Sequence, residues 1–419
     1  MDDHILLPNG MAQIALKNNR IGDGGAVWLS GKLPTGLAKL FLDNNLIGDT
    51  GAEALFSNLP VGMGRLYLDG NSIALDAMQE GTQLPTGLLE LSLTGNRIGD
   101  RGAAWLARHL PQGLNKLWLD GNVVGDAGAE ALFANLPAHL QAMELSGNRI
   151  TLGTMHESMQ LPQDLTNLNL MNNLIGDAGA KALFASLPAN INVVELNNNR
   201  IALEAVEEQT LLPNGMTQLA LRNNRIGDRG AVWLSGRLPA SLANLFLDNN
   251  SIGDTGAEAL LANLPANMQT LELNNNRITL EAMDDHILLP NGMAQIALKN
   301  NRIGDGGAVW LSGKLPTGLA KLFLDNNLIG DTGAEALFSN LPVGMGRLYL
   351  DGNSIALDAM QEGTQLPTGL LELSLTGNRI GDRGAAWLAR HLPQGLNKLW
   401  LDGNVVGDAG AEALGNTLN

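Results

Sequence analysis

Histidine offers the first place to look for chemistry, since its ring can act as a base or as a metal ligand near neutral pH. Six are spread along the chain: His4, His109, His139, His156, His286 and His391. None is spaced to bring a second ligand, a nucleophile or an orienting base beside it, so they read as surface or helix-end residues. Cysteine is absent, which removes thiolate metal sites, cysteine nucleophiles and disulfide frameworks together. Gly22-Asp23-Gly24-Gly25 has the glycines of a phosphate loop but not its Gly-Lys-Ser/Thr ending. Asp23, Asp49 and Asp100 follow glycines at the point where a helix begins and are expected to cap those helices. Calcium would need a full set of loop oxygens that no segment supplies. The expectation is no catalytic group, no metal and no cofactor.

What remains is a pattern suited to recognition. Three positions, each two residues apart, recur as Lys39/Phe41/Asp43, Arg65/Tyr67/Asp69 and Lys116/Trp118/Asp120. Gln13/Ala15/Lys17 precedes the set and Glu90/Ser92/Thr94 interrupts it, while Phe246, Phe323, Tyr349 and Trp400 take the aromatic position further along. In a strand such residues share one face. Aromatic and arginine side chains dominate interface energetics, and each ring can bury ~150–250 Å² on contact. The competing reading is a solvated structural face, its rings packed laterally and each cation paired with the aspartate of its own strand. Exposed pairs of that kind contribute only ~0–1 kcal/mol. Trp28, Trp105, Trp233, Trp310 and Trp387 lie in stretches such as Ala-Val-Trp-Leu and read as outer-layer helix packing.

The elements that carry these residues follow from the prolines. All sixteen stand in Leu-Pro pairs, from Pro8 to Pro393, separated by 25 or 26 residues. Such a period marks a repeat architecture. In the unit starting at Pro34, Leu40 and Leu42 alternate with Lys39, Phe41 and Asp43, which predicts a strand with one buried face. Asn45 falls where the chain turns, and its amide is suited to satisfy backbone groups there, so stacked copies predict a ladder. Ile47 returns to the core. Asp49 opens a helix in which Leu55 and Leu59 share a face, and Leu59-Pro60 ends it. Eleven units carry Gly-Asp after the turn; five shorter ones, such as Ile73-Ala74-Leu75-Asp76-Ala77-Met78, do not. Each unit is read as strand, turn and helix, with the short ones varying the outer packing.

The pattern L-x-x-L-x-L-x-x-N-x-I-G-D-x-G-A-x-x-L resembles the ribonuclease-inhibitor-like class of leucine-rich repeats, with Leu-Pro wording similar to bacterial members. The resemblance covers the whole chain and implies an α/β solenoid: a horseshoe or ring-like arc, parallel strands on the concave face and short helices on the convex face. One solenoid of sixteen repeats is expected over residues 1–419. Residues 1–7 would be the tail of a preceding helix, 8–414 the repeats and 415–419 an altered end. Residues 283–414 repeat residues 1–132 without a change, whereas other related stretches have drifted. A recent duplication accounts for this, as does deliberate extension of a repeat protein for architecture. A start in mid-repeat and the absence of end caps favour the second account and suggest self-association through the end repeats.

The net charge of -16 disfavours nucleic acid. No basic and apolar leader opens the chain and no run of apolar residues reaches membrane-spanning length, so a cytoplasmic protein with no membrane partner is expected. The function expected is a non-enzymatic protein-binding scaffold without a small-molecule substrate, its partner protein meeting the concave strand face.

Overall fold

The computed structural model describes residues 7–79, 81–155, 159–206, 209–361 and 363–417. His4 and His156 lie outside them, as do most of the residues read as a helix tail before the first repeat. Two compact units are present, Met1–Ile201 with Ala205–Met216, and Ala202–Glu204 with Thr217–Asn419.

The first unit holds β1 (Gln13–Ala15), β2 (Lys39–Phe41), β3 (Arg65–Tyr67), β4 (Glu90–Ser92), β5 (Lys116–Trp118), β6 (Ala142–Glu144), β7 (Asn167–Asn169) and β8 (Val193–Glu195). Each pairs in parallel with the next. Its helices are α1 (Asp23–Ser30), α2 (Asp49–Asn58), α3 (Asp100–His109), α4 (Asp126–Phe133) and α5 (Asp177–Ser186). The second unit repeats the plan. Its strands are β9 (Gln218–Ala220), β10 (Asn244–Phe246), β11 (Thr270–Glu272), β12 (Gln295–Ala297), β13 (Lys321–Phe323), β14 (Arg347–Tyr349), β15 (Glu372–Ser374) and β16 (Lys398–Trp400). They are likewise parallel in chain order. Its helices are α6 (Gly227–Ser235), α7 (Asp254–Ala262), α8 (Gly304–Ser312), α9 (Asp331–Asn340), α10 (Asp382–His391) and α11 (Asp408–Thr417).

Leu40, Leu42, Ile47 and Leu55 are fully buried, the core positions expected from the alternation. Leu59 is not part of that helical face. It lies past the end of α2 in extended geometry, φ -63 and ψ 137, as its following proline requires. The asparagine ladder forms as expected. The Asn45 amide nitrogen donates to the Leu42 and Leu16 carbonyls at 2.9 Å, and its Oδ1 accepts from the Ile21 N–H at 2.9 Å. Each asparagine therefore ties the turn of its own repeat to the repeat before.

Two expectations need correction. The aspartates do not cap their own helices, none of whose N-caps makes a side-chain bond. They reach instead into the next repeat: Asp23 Oδ1 accepts from Gly48 and Gly51 N–H at 2.7 and 2.9 Å, and Asp100 Oδ1 from Gly125 and Gly128 at the same distances. The spacing placed the carboxylate at a helix start, but the stacking of repeats sets the following helix start beside it.

The short repeats, read as strand, turn and helix, carry no helix among the described residues. In each of the five a leucine stands in the left-handed region: Leu75 (φ 62), Leu152 (φ 56), Leu203 (φ 60), Leu280 (φ 59) and Leu357 (φ 62). A bulky residue there costs about 1–3 kcal/mol. Aspartates of the preceding repeat offset that cost. Asp49 Oδ1 accepts from Ala74 and Leu75 N–H at 2.6 and 2.8 Å, and Asp126 holds Thr151 and Leu152 in the same way. The stretch Met283–Leu289, identical to the first seven residues, is likewise non-helical. Ten of the eleven helices consequently pack in pairs, α1 on α2 and α3 on α4 in the first unit, α6 on α7, α8 on α9 and α10 on α11 in the second, while α5 packs on no other helix among the described residues. A gap in the helix layer follows α2 and, in the identical copy, α9.

Candidate functional site

The strand face brings most of the expected recognition residues together. Register puts Phe41 beside Tyr67, and their rings stack at 5.0 Å between centres. Trp118 lies two strands beyond Tyr67, with the small, buried Ser92 between, so the indole reaches back to 5.9 Å from the phenol ring. Phe323, Tyr349 and Trp400 form the same row in the second unit, at 5.0 and 6.0 Å. All six rings are half-buried. Phe246 belongs to neither row. It is covered by the Arg222 guanidinium, 4.1 Å from its ring centre, which also binds Asp248 at 2.6 Å and Glu272 at 2.8 Å.

The charges run across strands and not along them, contrary to the pairing expected for a solvated face. Lys17 Nζ pairs with Asp43 of the next strand at 2.8 Å and lies 4.7 Å from the Phe41 ring centre. Arg65 and Lys116 both meet Glu90, on the strand between them, at 3.3 and 3.5 Å. Lys39 stands opposite Arg65 and forms no ion pair among the described residues. Lys17 and Glu90 are functional neighbours that strand-by-strand reading left out of the site. The signal was in the register, since Arg65, Glu90 and Lys116 occupy one column of adjacent strands.

The three aspartates serve as struts more than as contact groups. Asp43 is 5% exposed, and its Oδ1 accepts from the Asp69 N–H at 3.2 Å. Asp69 Oδ1 accepts the Ser92 hydroxyl and the Thr94 N–H, and Asp120 Oδ1 accepts the Ser146 N–H at 2.7 Å. Burial pushes the carboxyl pKa of Asp69, Asp120 and Glu144 upward. Burial opposes ionisation of Glu90 too, but the Tyr67 hydrogen bond and the Lys116 and Arg65 charges outweigh it and hold its pKa below the usual range. The face thus has a neutralised aromatic sector over β1–β5 and a more acidic sector around Asp120 and Glu144.

Tyr67 donates its hydroxyl to Glu90 Oε2 at 2.7 Å, and Tyr349 does the same to Glu372 at 2.6 Å. Burial, and then that hydrogen bond, push both phenols up to about 12. They are the only two tyrosines in the chain. Ultraviolet titration of the folded protein is therefore expected to show no phenolate step at the ordinary value of about 10. Glu90→Gln with Glu372→Gln should bring the step down towards it. A full step near 10 in the wild type would mean the hydrogen bonds are absent.

Among the described residues, no three histidine, aspartate or glutamate side chains converge to hold a metal. His139 meets Asp164 at 2.9 Å and His286 meets Asp284 at 2.8 Å, contacts that spacing alone did not anticipate; both pairs lie in solvent. No helix is long and apolar enough to cross a membrane among those residues.

A leucine-rich-repeat family model matches five stretches of the chain, residues 86–107, 162–184, 216–235, 245–261 and 368–389. Similar solved structures include an internalin of Listeria monocytogenes, 17% identical with TM-score 0.52, covering 97% of this chain and 85% of that one. Another is the Arabidopsis receptor kinase HAESA in complex with the peptide hormone IDA and the co-receptor SERK1. It is 19% identical with TM-score 0.51, covering 96% of this chain and 68% of that one. At such identities the likeness is one of fold. No curated protein matches the chain.

Proposed function

We propose that this leucine-rich-repeat solenoid is a non-enzymatic protein-binding scaffold, and that its partner docks on the strand face across the aromatic rows. The observation that carries the reading is the Phe41–Tyr67–Trp118 row, three half-buried rings held side by side on a rigid sheet. Ring geometry is fixed in advance by stacking, by the Lys17 ammonium and by the Tyr67–Glu90 bond. Preorganised aromatics of this kind lose little entropy on contact, which suits them to anchor an interface. The Asp120 and Glu144 carboxyls beside the row favour a partner that presents positive charge there. A receptor bound to a peptide among the structures of similar fold accords with such a role.

The test begins with capture of a partner on the immobilised chain, followed by titration of that purified partner. Because both copies of the row are identical, the variant must be Trp118→Ala with Trp400→Ala. Loss of a central tryptophan costs ~2 kcal/mol or more, so affinity should fall roughly 30-fold, with thermal unfolding little changed. Equal affinity of the two proteins would remove this face as the docking site.

A further inference from the structure

We propose that the recess beside α3, and its identical copy beside α10, is a binding site for an oxyanion, a carboxylate or phosphate group carried on a ligand. It lies on the helix side, away from the strand-face rows, and stands independently of them. The recess exists because the repeat before α3 has no helix. Leu75, Asp76 and Met78 of that repeat form one wall, and Arg101, Ala104, Trp105, Arg108 and His109 of α3 form the other. Beside α10 the same eight positions line the recess.

Two features point to an anion. Arg101 and Arg108 are both exposed, and neither has a carboxylate partner among the described residues. Helix electrostatics explain Arg108 and His109 in the last turn, but Arg101 is the second residue of α3, where a cation opposes the helix dipole. Trp105 is 5% exposed, yet its indole N–H has no acceptor, and Trp387 repeats this. Trp28 and Trp310 share the orphaned indole N–H, so it belongs to this helix position, and on the wall of the recess it serves as a reporter of what binds there. His109 stacks on Trp105 at 4.2 Å while its Nδ1–H donates to the Trp105 carbonyl, so Nε2 of the neutral ring is an acceptor and the arginines are the groups that would hold the anion. In the copy, Arg390 also donates its Nε to the Ala386 carbonyl at 3.2 Å. Asp76 on the loop wall, and Asp358 in the copy, oppose an anion and set an upper limit on affinity.

The test is a nitrogen–proton NMR titration of the full chain with two probes, inorganic phosphate and a hexaglutamate peptide. The indole N–H signals of Trp105 and Trp387, assigned from Trp105→Phe and Trp387→Phe, are the readout. Saturable shifts are expected. They should weaken roughly tenfold or more when Arg101, Arg108, Arg383 and Arg390 are all changed to glutamine. They should strengthen in Asp76→Asn with Asp358→Asn. Saturation by phosphate assigns a small anion and saturation by the peptide alone assigns an acidic segment of a partner chain. Shifts that rise linearly with both probes, or saturable shifts that the glutamine variant retains, would overturn the site.

Discussion

Asn96→Ala is expected to destabilise the first unit by about 2–6 kcal/mol, a large loss for one buried turn position in a repeat. The Asn96 amide nitrogen donates to the Leu68 and Leu93 carbonyls at 2.9 and 3.0 Å, and its Oδ1 accepts from Ile73 N–H at 3.0 Å. The two carbonyls keep a second donor, since Asn71 also reaches Leu68 and Asn122 also reaches Leu93. Ile73 N–H loses its acceptor altogether, at a fully buried residue. An orphaned buried donor costs ~1–3 kcal/mol, and the two weakened carbonyl contacts add ~0.5–1.5 kcal/mol each. Denaturant unfolding reads the total, and amide exchange at Leu93 reads it locally, with roughly 30-fold or greater acceleration. A change below about 0.5 kcal/mol would show that water replaces the side chain and that the ladder is not a main support of the fold.

Gly102→Ala and Gly24→Ala are expected to move stability in opposite directions, although both replace a helical glycine. Alanine normally gains ~0.5–1 kcal/mol over glycine in a helix. At Gly24 a Cβ would meet nothing within 4 Å, so the gain should be realised. At Gly102 a Cβ would stand 1.9 Å from the Ala74 carbonyl oxygen, on the backbone of the helix-less repeat. The repeats must move apart there, at a cost of about 1–3 kcal/mol or more. Gly179, Gly230, Gly307 and Gly384 meet equivalent carbonyls at 1.9–2.1 Å, so the close approach is general where a helix follows a short repeat. Unfolding midpoints of the two variants decide the matter. A stabilised Gly102→Ala would contradict the packing of α3 on its neighbour.

The period, the strands and the core were legible because Leu40, Leu42 and Ile47 follow simple alternation and the prolines punctuate it. The asparagine ladder was legible for a similar reason, since one side chain at one turn, repeated, stacks on itself. Interactions that cross repeats were not. Asp49 looks like a cap for its own helix until the next repeat is set beside it, and then it holds the Leu75 backbone instead. Nor does Ile73-Ala74-Leu75-Asp76-Ala77-Met78 announce a lack of helix by composition; a left-handed leucine held from outside decides it. On the strand face the rings were visible as types. Their stacking, the Lys17 contact and the Glu90 hub depend on a 26- or 25-residue offset between columns that single-strand reading ignores.

The claim that the strand face is the docking surface is tested most directly by hydroxyl-radical footprinting of the chain alone and with its captured partner. Protection is predicted at Tyr67 and Trp118 and at Tyr349 and Trp400, while Val27 and Val232 on the helix side, each 45% exposed, stay reactive. Protection at Val27 or Val232 with the four rings unchanged would contradict it.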